Sequence, residues 1–164
     1  MSYRNIKLDK IDLKILRILQ NNSKITNLEL SRRVKLSPAP TLERVKKLEN
    51  AQVIQSYHAK VNPEKIGLDV KTFVLVSLAW NRENALDNFV DKVKDIEEIV
   101  ECYLITGEAD VLMKLICRDI ASYEQILFKT LSKIPEIERL KTLMTLSSFK
   151  NSKLLPYDYE NPRS

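Results

Sequence analysis

Residues 36–49 read LSPAPTLERVKKLE, and this stretch predicts a break between two helices followed by a basic helix. Ser37 is a favourable helix N-cap, because a serine hydroxyl accepts a hydrogen bond from a free N–H group of the first turn. Pro38 suits the first helical position, and Pro40 is still in the first turn, where a missing N–H removes no helical hydrogen bond. These residues predict that a helix begins at Pro38.

The side chains of this helix divide into an apolar stripe and a polar remainder. Leu42, Val45 and Leu48 recur at helical spacing and predict the buried side of the helix. The residues expected off that stripe are Thr41, Arg44, Lys46 and Lys47. The helix is therefore expected to present cations along its length and small side chains in its first turn.

Two further helices precede this one. Apolar residues recur at helical spacing from Leu8 to Leu19, and Asp9 is the candidate cap. A second, shorter helix is expected from its candidate N-cap Asn27 to Val34. About three or four residues then separate the second and third helices, which is the spacing of a helix-turn-helix.

Positive charge is concentrated in the same region. Residues 1–62 contain 13 Lys and Arg against 5 Asp and Glu, a net charge of +8, whereas residues 63–164 contain 14 against 17, a net charge of −3. A recognition helix needs small residues that approach base edges and cations that reach phosphates. The region is therefore predicted to bind double-stranded DNA, and a plain three-helix bundle with a solvated basic face is the alternative.

Individual DNA contacts follow from this placement. Residues 39–41 offer small apolar and hydroxyl groups suited to thymine methyls, and Arg44 is expected to reach a guanine or a phosphate. The phosphate contacts are expected to come from Ser37, Lys46, Lys47, Arg32 and Arg33. The predicted DNA-binding residues are together Arg32, Arg33, Ser37, Pro38, Ala39, Pro40, Thr41, Arg44, Lys46 and Lys47.

The two arginines of the second helix have an alternative role. Arg32 or Arg33 can form an ion pair with Glu29 or Glu43, and such pairs are common and weak. In that case the arginine is a surface residue rather than a DNA contact.

Residues 53–61 alternate imperfectly, are rich in β-branched residues and predict one strand or a small wing. A turn-rich stretch follows, where the charge balance and the element type both change. We therefore divide the chain into a helix-turn-helix domain with a strand linker at residues 1–62, a second domain at 63–153 and a tail at 154–164. For the turn-rich tail, disorder and docking on a neighbouring subunit are both open.

The second domain shows the element order β-α-β-β-α-β, which is the ferredoxin-like arrangement, so the fold class is α+β. Strands are expected at 70–80, 99–106, 111–117 and 137–149, and helices at 82–96 and 120–134. Both faces of the first strand are apolar, whereas two helices cover one face of a sheet. The open face therefore predicts a homodimer formed sheet to sheet.

The composition leaves little material for an enzyme site, a metal site or a membrane span. The chain has two glycines, too few for a glycine-rich phosphate loop, and one histidine, His58, interpreted as a surface or sheet residue. Cysteine, histidine and carboxylate spacing does not resemble a zinc site. Cys102 and Cys117 lie in apolar runs and are expected to be buried, reduced thiols. A cytoplasmic protein without a metal or cofactor, a membrane span or a secretory signal is therefore expected.

Four stretches together resemble the Lrp/AsnC family, also called feast/famine regulators. They are LDKID at 8–12, NLELS at 27–31, the stretch at 36–49 and ECYLITGEAD at 101–110. The Ser-Pro-x-Pro start with Arg-Val-x-x-Leu-Glu is quite specific, and the resemblance covers residues 6–150.

The resemblance implies a winged helix-turn-helix joined by a strand linker to an αβ sandwich. It also implies that the protein dimerises through the sandwich and assembles into tetramers, octamers or larger rings. Many members bind a free amino acid between subunits, near the Gly-x-x-Asp turn.

In this chain the implied effector site comprises Thr106, Gly107, Glu108, Ala109 and Asp110. Backbone N–H groups at the Gly107 turn suit the carboxylate of an amino acid, and Asp110 suits its ammonium. The alternative is structural, with Gly107 supplying a positive φ and Asp110 capping the turn. Ala109 departs from the aromatic residue frequent at this position in the family, so the pocket is larger, prefers another side chain or binds no effector.

The function predicted from these observations is a sequence-specific transcription regulator of amino-acid metabolism, oligomeric and modulated by a small amino acid. An architectural, nucleoid-like protein with low sequence preference is the first alternative. A siroheme-decarboxylase-like enzyme shares the two-domain layout, but His58 is poor material for its tetrapyrrole pocket. We therefore expect a protein that is not an enzyme.

Overall fold

The computed structural model describes residues 7–158. It divides into two units, one comprising the described residues up to Lys60 together with those from Lys150 onward, and the other Val61–Phe149. The segment expected as a separate tail from residue 154 thus groups, as far as it is described, with the N-terminal unit. Residues 1–6 and 159–164, which the predicted domain and tail include, lie outside the described residues.

The N-terminal unit is built on the three helices α1 (Lys10–Asn21), α2 (Asn27–Val34) and α3 (Pro38–Asn50). Helix α1 starts with a reciprocal capping box, in which the Asp9 carboxylate accepts from the Asp12 N–H and the Asp12 carboxylate from the Asp9 N–H.

The other two helix starts differ in detail from the expectation. The cap of α2 is Thr26, one residue before the predicted Asn27, and its hydroxyl accepts from the Glu29 N–H. Helix α3 begins at Pro38 as predicted, but the Ser37 side chain makes no capping hydrogen bond. The turn between α2 and α3 is closed by Lys35 in the left-handed conformation, with a φ of 59°.

The buried side of α3 differs from the predicted stripe at one position. Thr41 and Leu48 are completely buried and Val45 is partly buried, whereas Leu42 is 42% exposed. The spacing of four and three residues between Thr41, Val45 and Leu48 defines one helix face, so the threonine replaces the leucine on it. Their neighbours in the core of this unit are Ile15, Leu30 and Val34.

The expected strand at residues 53–61 is not formed in the described chain, because residues 55–62 have no regular secondary structure. An extended segment becomes a strand only when its N–H and C=O groups pair with a second strand. No strand of the described chain pairs with this segment, so its alternating residues lead out of α3 as an irregular linker.

The C-terminal unit has the predicted order β-α-β-β-α-β. Its strands are β1 (Val70–Leu78), β2 (Ile99–Leu104), β3 (Val111–Cys117) and β4 (Ile137–Met144), and its helices are α4 (Ala85–Val93) and α5 (Ile120–Gln125). A wider turn at Ile126–Thr130 and a 3-10 turn at Leu131–Lys133 continue α5, and another 3-10 turn lies at Glu64–Ile66. The strands form one antiparallel sheet in the order β2-β3-β1-β4, which confirms the ferredoxin-like prediction.

Several elements are shorter than expected, and β4 shows why. Its neighbour in the sheet is β1, and the last paired residue is Met144, opposite Thr72. Beyond Met144 the pairing with β1 is reduced to one hydrogen bond, from the Thr145 N–H to the Lys71 carbonyl, and residues 147–149 extend past the start of β1 at Val70. Apolar character alone therefore overestimates the strand.

The two faces of the sheet differ in burial. Val74, Val76, Met113 and Leu115 are completely buried together with Phe89 of α4, so this face carries the core. The opposite face bears apolar side chains that are partly exposed, namely Phe73, Leu75, Leu112 and Ile116.

The two cysteines differ in burial. Cys117 is buried as expected, but Cys102 is exposed, and both are free thiols. Cys102 lies on β2, an outer strand of the sheet with one neighbour, so the apolar run around it does not enclose it.

Candidate DNA interface and effector site

The N-terminal turn of α3 lies at the surface of its unit. Ser37, Pro38, Ala39 and Pro40 are all exposed. Because two of the four are prolines, the backbone there is stiff and presents few N–H groups. The turn is thus a small, preorganised projection of the kind that approaches base edges in a groove.

Thr41 has a different role from the predicted one. Its side chain is completely buried, and its hydroxyl donates a 2.9 Å hydrogen bond to the Ser37 carbonyl. The prediction that Thr41 presents its hydroxyl beside Ala39 and Pro40 is therefore wrong. The periodicity shows why, since Thr41 lies four residues before Val45 and thus faces inward with it.

Arg44 is engaged by carboxylates of α1. One guanidinium nitrogen, Nη1, donates to Asp9 Oδ2 at 2.6 Å and to Asp12 Oδ1 at 2.7 Å, and Lys47 Nζ lies 3.9 Å from Asp12 Oδ2. Burial by itself would raise the pKa of Asp9, but the Asp12 N–H and the Arg44 guanidinium hold that pKa below its usual value. The hydrogen bonds that Arg44 donates to these two carboxylates raise the pKa of Arg44.

Sequence reasoning missed this cluster, although one signal for it exists. Asp12 is four residues after Leu8 and three before Ile15, so it lies on the apolar stripe of α1. An acid at a buried helical position needs a cation or hydrogen-bond donors from another element. The partner could not be named without knowing how α1 packs on α3.

The remaining basic residues of α2 and α3 stay accessible. Arg33 pairs with Glu29 at 2.9 Å and Lys46 with Glu43 at 3.5 Å, and all four side chains are about half exposed or more. Arg33 thus forms the ion pair of the alternative interpretation, while its contact with DNA stays a prediction. Exposed pairs of this kind contribute little and are easily exchanged for a phosphate. Arg32 and Lys47 are exposed as well.

A further contact that the sequence did not indicate joins α2 to the start of α3. The Asn27 side-chain amide donates a 2.8 Å hydrogen bond to the Pro38 carbonyl. A first-turn carbonyl already accepts within its helix, so this bond adds a lateral link. The predicted cap residue therefore fixes the position of the turn rather than the start of α2.

In the turn between β2 and β3, Gly107 and Asp110 have the structural roles of the alternative interpretation, in which the glycine supplies a positive φ and the aspartate caps the turn. Gly107 has a φ of +125°, which side-chain-bearing residues avoid. The Asp110 carboxylate accepts a 2.7 Å hydrogen bond from the Leu78 N–H, and the Asp110 N–H donates to the Val76 carbonyl. Asp110 thus holds the turn against β1, and Gly107 supplies the backbone conformation of the turn.

A cavity of about 260 Å³ lies beside this turn, on the open face of the sheet. Its lining comprises Leu75, Ser77, Glu108, Ala109, Arg139, Leu140 and Lys141. Of the five predicted effector residues it contains Glu108 and Ala109. Thr106 is exposed and, like Gly107 and Asp110, is not part of the lining.

Two cations of this cavity were missed by sequence reasoning. Arg139 donates to Ser77 Oγ and to the Glu108 carbonyl, both at 3.5 Å, and Lys141 Nζ lies 3.9 Å from the Glu108 carboxylate. They reach the cavity because β4 pairs with β1, placing Arg139 opposite Ser77. That register is a long-range property, which short motifs do not carry.

Within residues 7–158, no group of three or more histidine, cysteine and acidic side chains is arranged to hold a metal ion. The same residues include no helix with the length and apolar character that crossing a bilayer requires. His58 is exposed, with its ring next to the Ser56 hydroxyl, which agrees with its interpretation as a surface residue.

An exposed, proline-stiffened recognition helix on one unit and a ligand-sized cavity on a βαββαβ unit define a class of protein, the DNA-binding regulators with a sensing domain. The comparisons with known proteins agree. Residues 8–55 match the model for winged helix-turn-helix DNA-binding domains, and residues 71–155 match the model for the Lrp/AsnC ligand binding domain.

Individual relatives extend over nearly the whole chain. The chain is 39% identical to the leucine-responsive regulatory protein of Haemophilus influenzae over 152 residues, which cover 93% of this chain and 92% of that protein. A transcriptional regulator from Neisseria meningitidis, solved in complex with L-methionine, matches with a TM-score of 0.88 at 35% identity and covers 92% of this chain and 97% of its own. An AsnC family transcriptional regulator from Agrobacterium tumefaciens matches with a TM-score of 0.86 at 33% identity, with 93% and 99% covered.

The chain belongs to the Lrp/AsnC family of transcription regulators. It is thus a DNA-binding regulator with a winged helix-turn-helix domain and a ligand-binding domain, and not an enzyme. These findings confirm the resemblance, the fold class and the class of function predicted from the sequence.

Proposed function

We propose that this regulator reads DNA with the exposed first turn of α3 and contacts the flanking phosphates with the cations around it. The observation that carries this proposal is the exposure of residues 37–40 above the buried Thr41 anchor. In this arrangement Ala39 and Pro40 contact base edges, while Ser37 and Pro38 lie beside the sugar-phosphate backbone of the DNA. The phosphate contacts are assigned to Arg32, Arg33, Lys46 and Lys47.

The cavity on the C-terminal unit is the proposed effector site, and a free amino acid is its proposed ligand. Arg139 and Lys141 suit the carboxylate of an amino acid, and the exposed Glu108 carboxylate suits its ammonium. Ala109 leaves room for an aliphatic side chain. The volume of about 260 Å³ is slightly below the roughly 300–1,000 Å³ of sites for drug-sized ligands, which fits a small ligand.

The relative from Neisseria meningitidis was solved with L-methionine, and this supports an amino acid as the class of ligand. Asp110 differs in role from the earlier expectation, since its carboxylate already accepts the Leu78 N–H. We therefore assign the ammonium to Glu108, and Asp110 to holding the turn.

A second copy of the chain is the proposed partner of the open sheet face. Phe73, Leu75, Leu112 and Ile116 are partly exposed there, and apolar side chains of this kind are covered in stable assemblies. The effector cavity opens on the same face, so assembly places the amino acid between subunits. We infer a dimer that assembles into tetramers or octamers, in the cytoplasm, where it regulates genes of amino-acid metabolism.

The first experiment compares binding to the DNA upstream of the protein's own gene with binding to random duplex of equal length, across a KCl series. A preference of about a thousandfold or more is expected of a specific regulator. Equal and steeply salt-dependent binding to both duplexes would instead identify a low-specificity architectural protein. Absence of binding to either duplex would contradict the proposed interface.

The second experiment is a thermal-shift titration with each of the twenty amino acids, using wild-type protein and Arg139→Met. A ligand at a hundred times its Kd stabilises the native state by about 2.7 kcal/mol, which is readily measured. We expect at least one amino acid to stabilise the wild type and to lose most of that effect in Arg139→Met. If none of the twenty raises the melting temperature, the effector proposal is wrong.

A further inference from the structure

Asp12 is a charged residue in the apolar core of the N-terminal unit. Its side chain is 1% exposed, although it lies on α1 between partly buried Ile11 and fully buried Ile15. A buried carboxylate is costly unless cations and N–H donors satisfy it. Here the Asp9 N–H bonds to one oxygen and the Arg44 guanidinium to the other, with Lys47 nearby.

Arg44 is consequently oriented toward α1. Its Nη1 bonds two carboxylates at 2.6 and 2.7 Å, and 29% of its side chain is exposed. By contrast, the side chains of Lys46 and Lys47 are more than half exposed. A guanidinium held by two carboxylates would have to leave both of them to reach a phosphate, and Asp12 would then be buried without its strongest partner.

Helix α3 has few other fixed points. Thr41 and Leu48 are its fully buried residues, and they lie seven positions apart on one line along the helix. Two contacts on one line leave rotation about that line weakly determined. The Arg44 bonds to α1 act off that line, one turn beyond the exposed residues 37–40. Together with the Asn27–Pro38 hydrogen bond to α2, they fix the direction in which the first turn projects.

We infer that Asp12 is a positioning residue for DNA recognition, which holds α3 in its reading orientation through Arg44, and that Arg44 makes no phosphate contact of its own. This inference rests on the proposed DNA interface. It also makes a prediction opposite to simple electrostatics. Removing a negative charge from a DNA-binding unit should tighten binding, whereas removing a positioning residue should weaken it.

The test uses the full-length protein and one fixed 30-base-pair duplex, with binding measured across a KCl series. The variants are Asp12→Asn, the double variant Asp12→Asn/Arg44→Met, and the charge-matched control Glu43→Gln. Glu43 also belongs to this unit, but it is 73% exposed and pairs with exposed Lys46. A further variant, Lys46→Met, calibrates the loss of one phosphate contact.

We expect Asp12→Asn to weaken binding by about tenfold, which is the effect of one lost interaction of about 1.4 kcal/mol. Glu43→Gln removes the same charge and is expected to bind at least as tightly as wild type. The double variant should bind as weakly as Asp12→Asn and keep the wild-type slope of log Kobs against log salt. Lys46→Met should lower that slope by about one unit.

The inference is overturned if the double variant loses about one unit of slope, because Arg44 would then be a phosphate contact. It is also overturned if Asp12→Asn binds as tightly as Glu43→Gln. Should Asp12→Asn be unfolded at the assay temperature, the double variant decides, since removing both charges of a buried pair leaves no uncompensated charge. If Lys46→Met and wild type have the same slope, the proposed interface itself fails, which is a separate result.

Discussion

Buried or partly buried carboxylates determine much of the chemistry at the scale of single residues. Asp12 connects α1 to α3, Asp110 connects the β2–β3 turn to β1, and Glu136 connects the start of β4 to α4. Each accepts from a donor distant in sequence, namely Arg44, the Leu78 N–H and the Lys92 ammonium. Such contacts fix the position of one helix, strand or turn relative to its neighbour, and thereby the position of the site residues that it carries.

The Glu136–Lys92 pair predicts an acid-dependent loss of stability in the C-terminal unit. The Lys92 Nζ lies 2.5 Å from Glu136 Oε2, and this hydrogen bond holds the pKa of Glu136 below its usual value. A lowered pKa stabilises the fold above the unfolded-state pKa, about 4.3, and that contribution is lost as the pH falls through the folded-state pKa. Glu136→Gln should therefore be less stable than wild type at pH 7, and the difference should shrink in more acidic solution.

Urea unfolding at several pH values, followed by fluorescence of Trp80, measures this effect, because Trp80 is the single tryptophan of the chain and belongs to the C-terminal unit. Lys92→Met is the matched control, and its free energy of unfolding should depend on pH less steeply than that of wild type, as for Glu136→Gln. A difference between Glu136→Gln and wild type that is constant from pH 7 to pH 3 would refute the assignment.

Asp110→Ala should destabilise the protein even without any amino acid present. The substitution leaves the Leu78 N–H without its carboxylate acceptor, and a lost hydrogen bond of this type costs about 1–3 kcal/mol. Asp110→Asn keeps a side-chain oxygen in place and should lose less. The same fluorescence assay measures both variants, and equal stability of Asp110→Ala and wild type would return Asp110 to a purely ligand-binding role.

At the scale of elements, two turns fix how the sites are presented. The left-handed Lys35 closes the turn that leads into α3, and Gly107, at φ +125°, closes the turn beside the cavity. A Cβ at Gly107 would meet no atom within 4 Å, so crowding is not the reason for glycine there. Glycine is required there because the backbone adopts a φ of +125°.

Gly107→Ala should therefore cost about 1–3 kcal/mol, through backbone strain alone. Gly67 is a matched control, because it also has open space around its Cβ position but lies at φ +75°, in a region that other residues enter at lower cost. Gly67→Ala should lose about 1 kcal/mol. Chemical denaturation compares the two, and a larger loss for Gly67→Ala would contradict this account.

The elements also show what the sequence could and could not predict. Periodicity correctly predicted three helices before residue 51 and the order of elements in the sheet domain, because it depends on neighbours in sequence. Of the three predicted caps, Asp9 was correct. The burial of Thr41, the Asp12–Arg44 pair and the cations Arg139 and Lys141 were missed. Each depends on which helix or strand packs beside it, and that information is spread over distant residues.

At the scale of the whole molecule, the chain leaves the N-terminal unit after Lys60 and returns to it at Lys150. The returning segment is bonded to α1. The Leu155 N–H donates to Gln20 Oε1 at 2.7 Å, and the Tyr157 hydroxyl donates to the Leu13 carbonyl at 3.2 Å. Burial raises the pKa of Tyr157, in accord with a partly enclosed ring. The described part of the tail thus contacts its own chain, which differs from the expectation of disorder, whereas docking on a neighbouring subunit stays a prediction.

A chain ending at Lys153 should therefore have a less stable α1. The lost hydrogen bonds are exposed or partly buried, so we expect a loss of about 1 kcal/mol in the N-terminal unit. Hydrogen exchange measures it locally, with faster exchange in α1 and unchanged exchange in β3. Tyr157→Phe, which removes one hydroxyl, should show a smaller effect in the same direction, and unchanged exchange in both variants would contradict the contact.

The return of the chain at Lys150 also has a consequence for biosynthesis. On the ribosome the three helices are translated before the sheet domain, but the segment that bonds to α1 is translated after it. The DNA-reading unit therefore acquires these contacts only after the sheet domain has been translated, and a nascent chain stalled before residue 150 carries a recognition helix beside an α1 that lacks them.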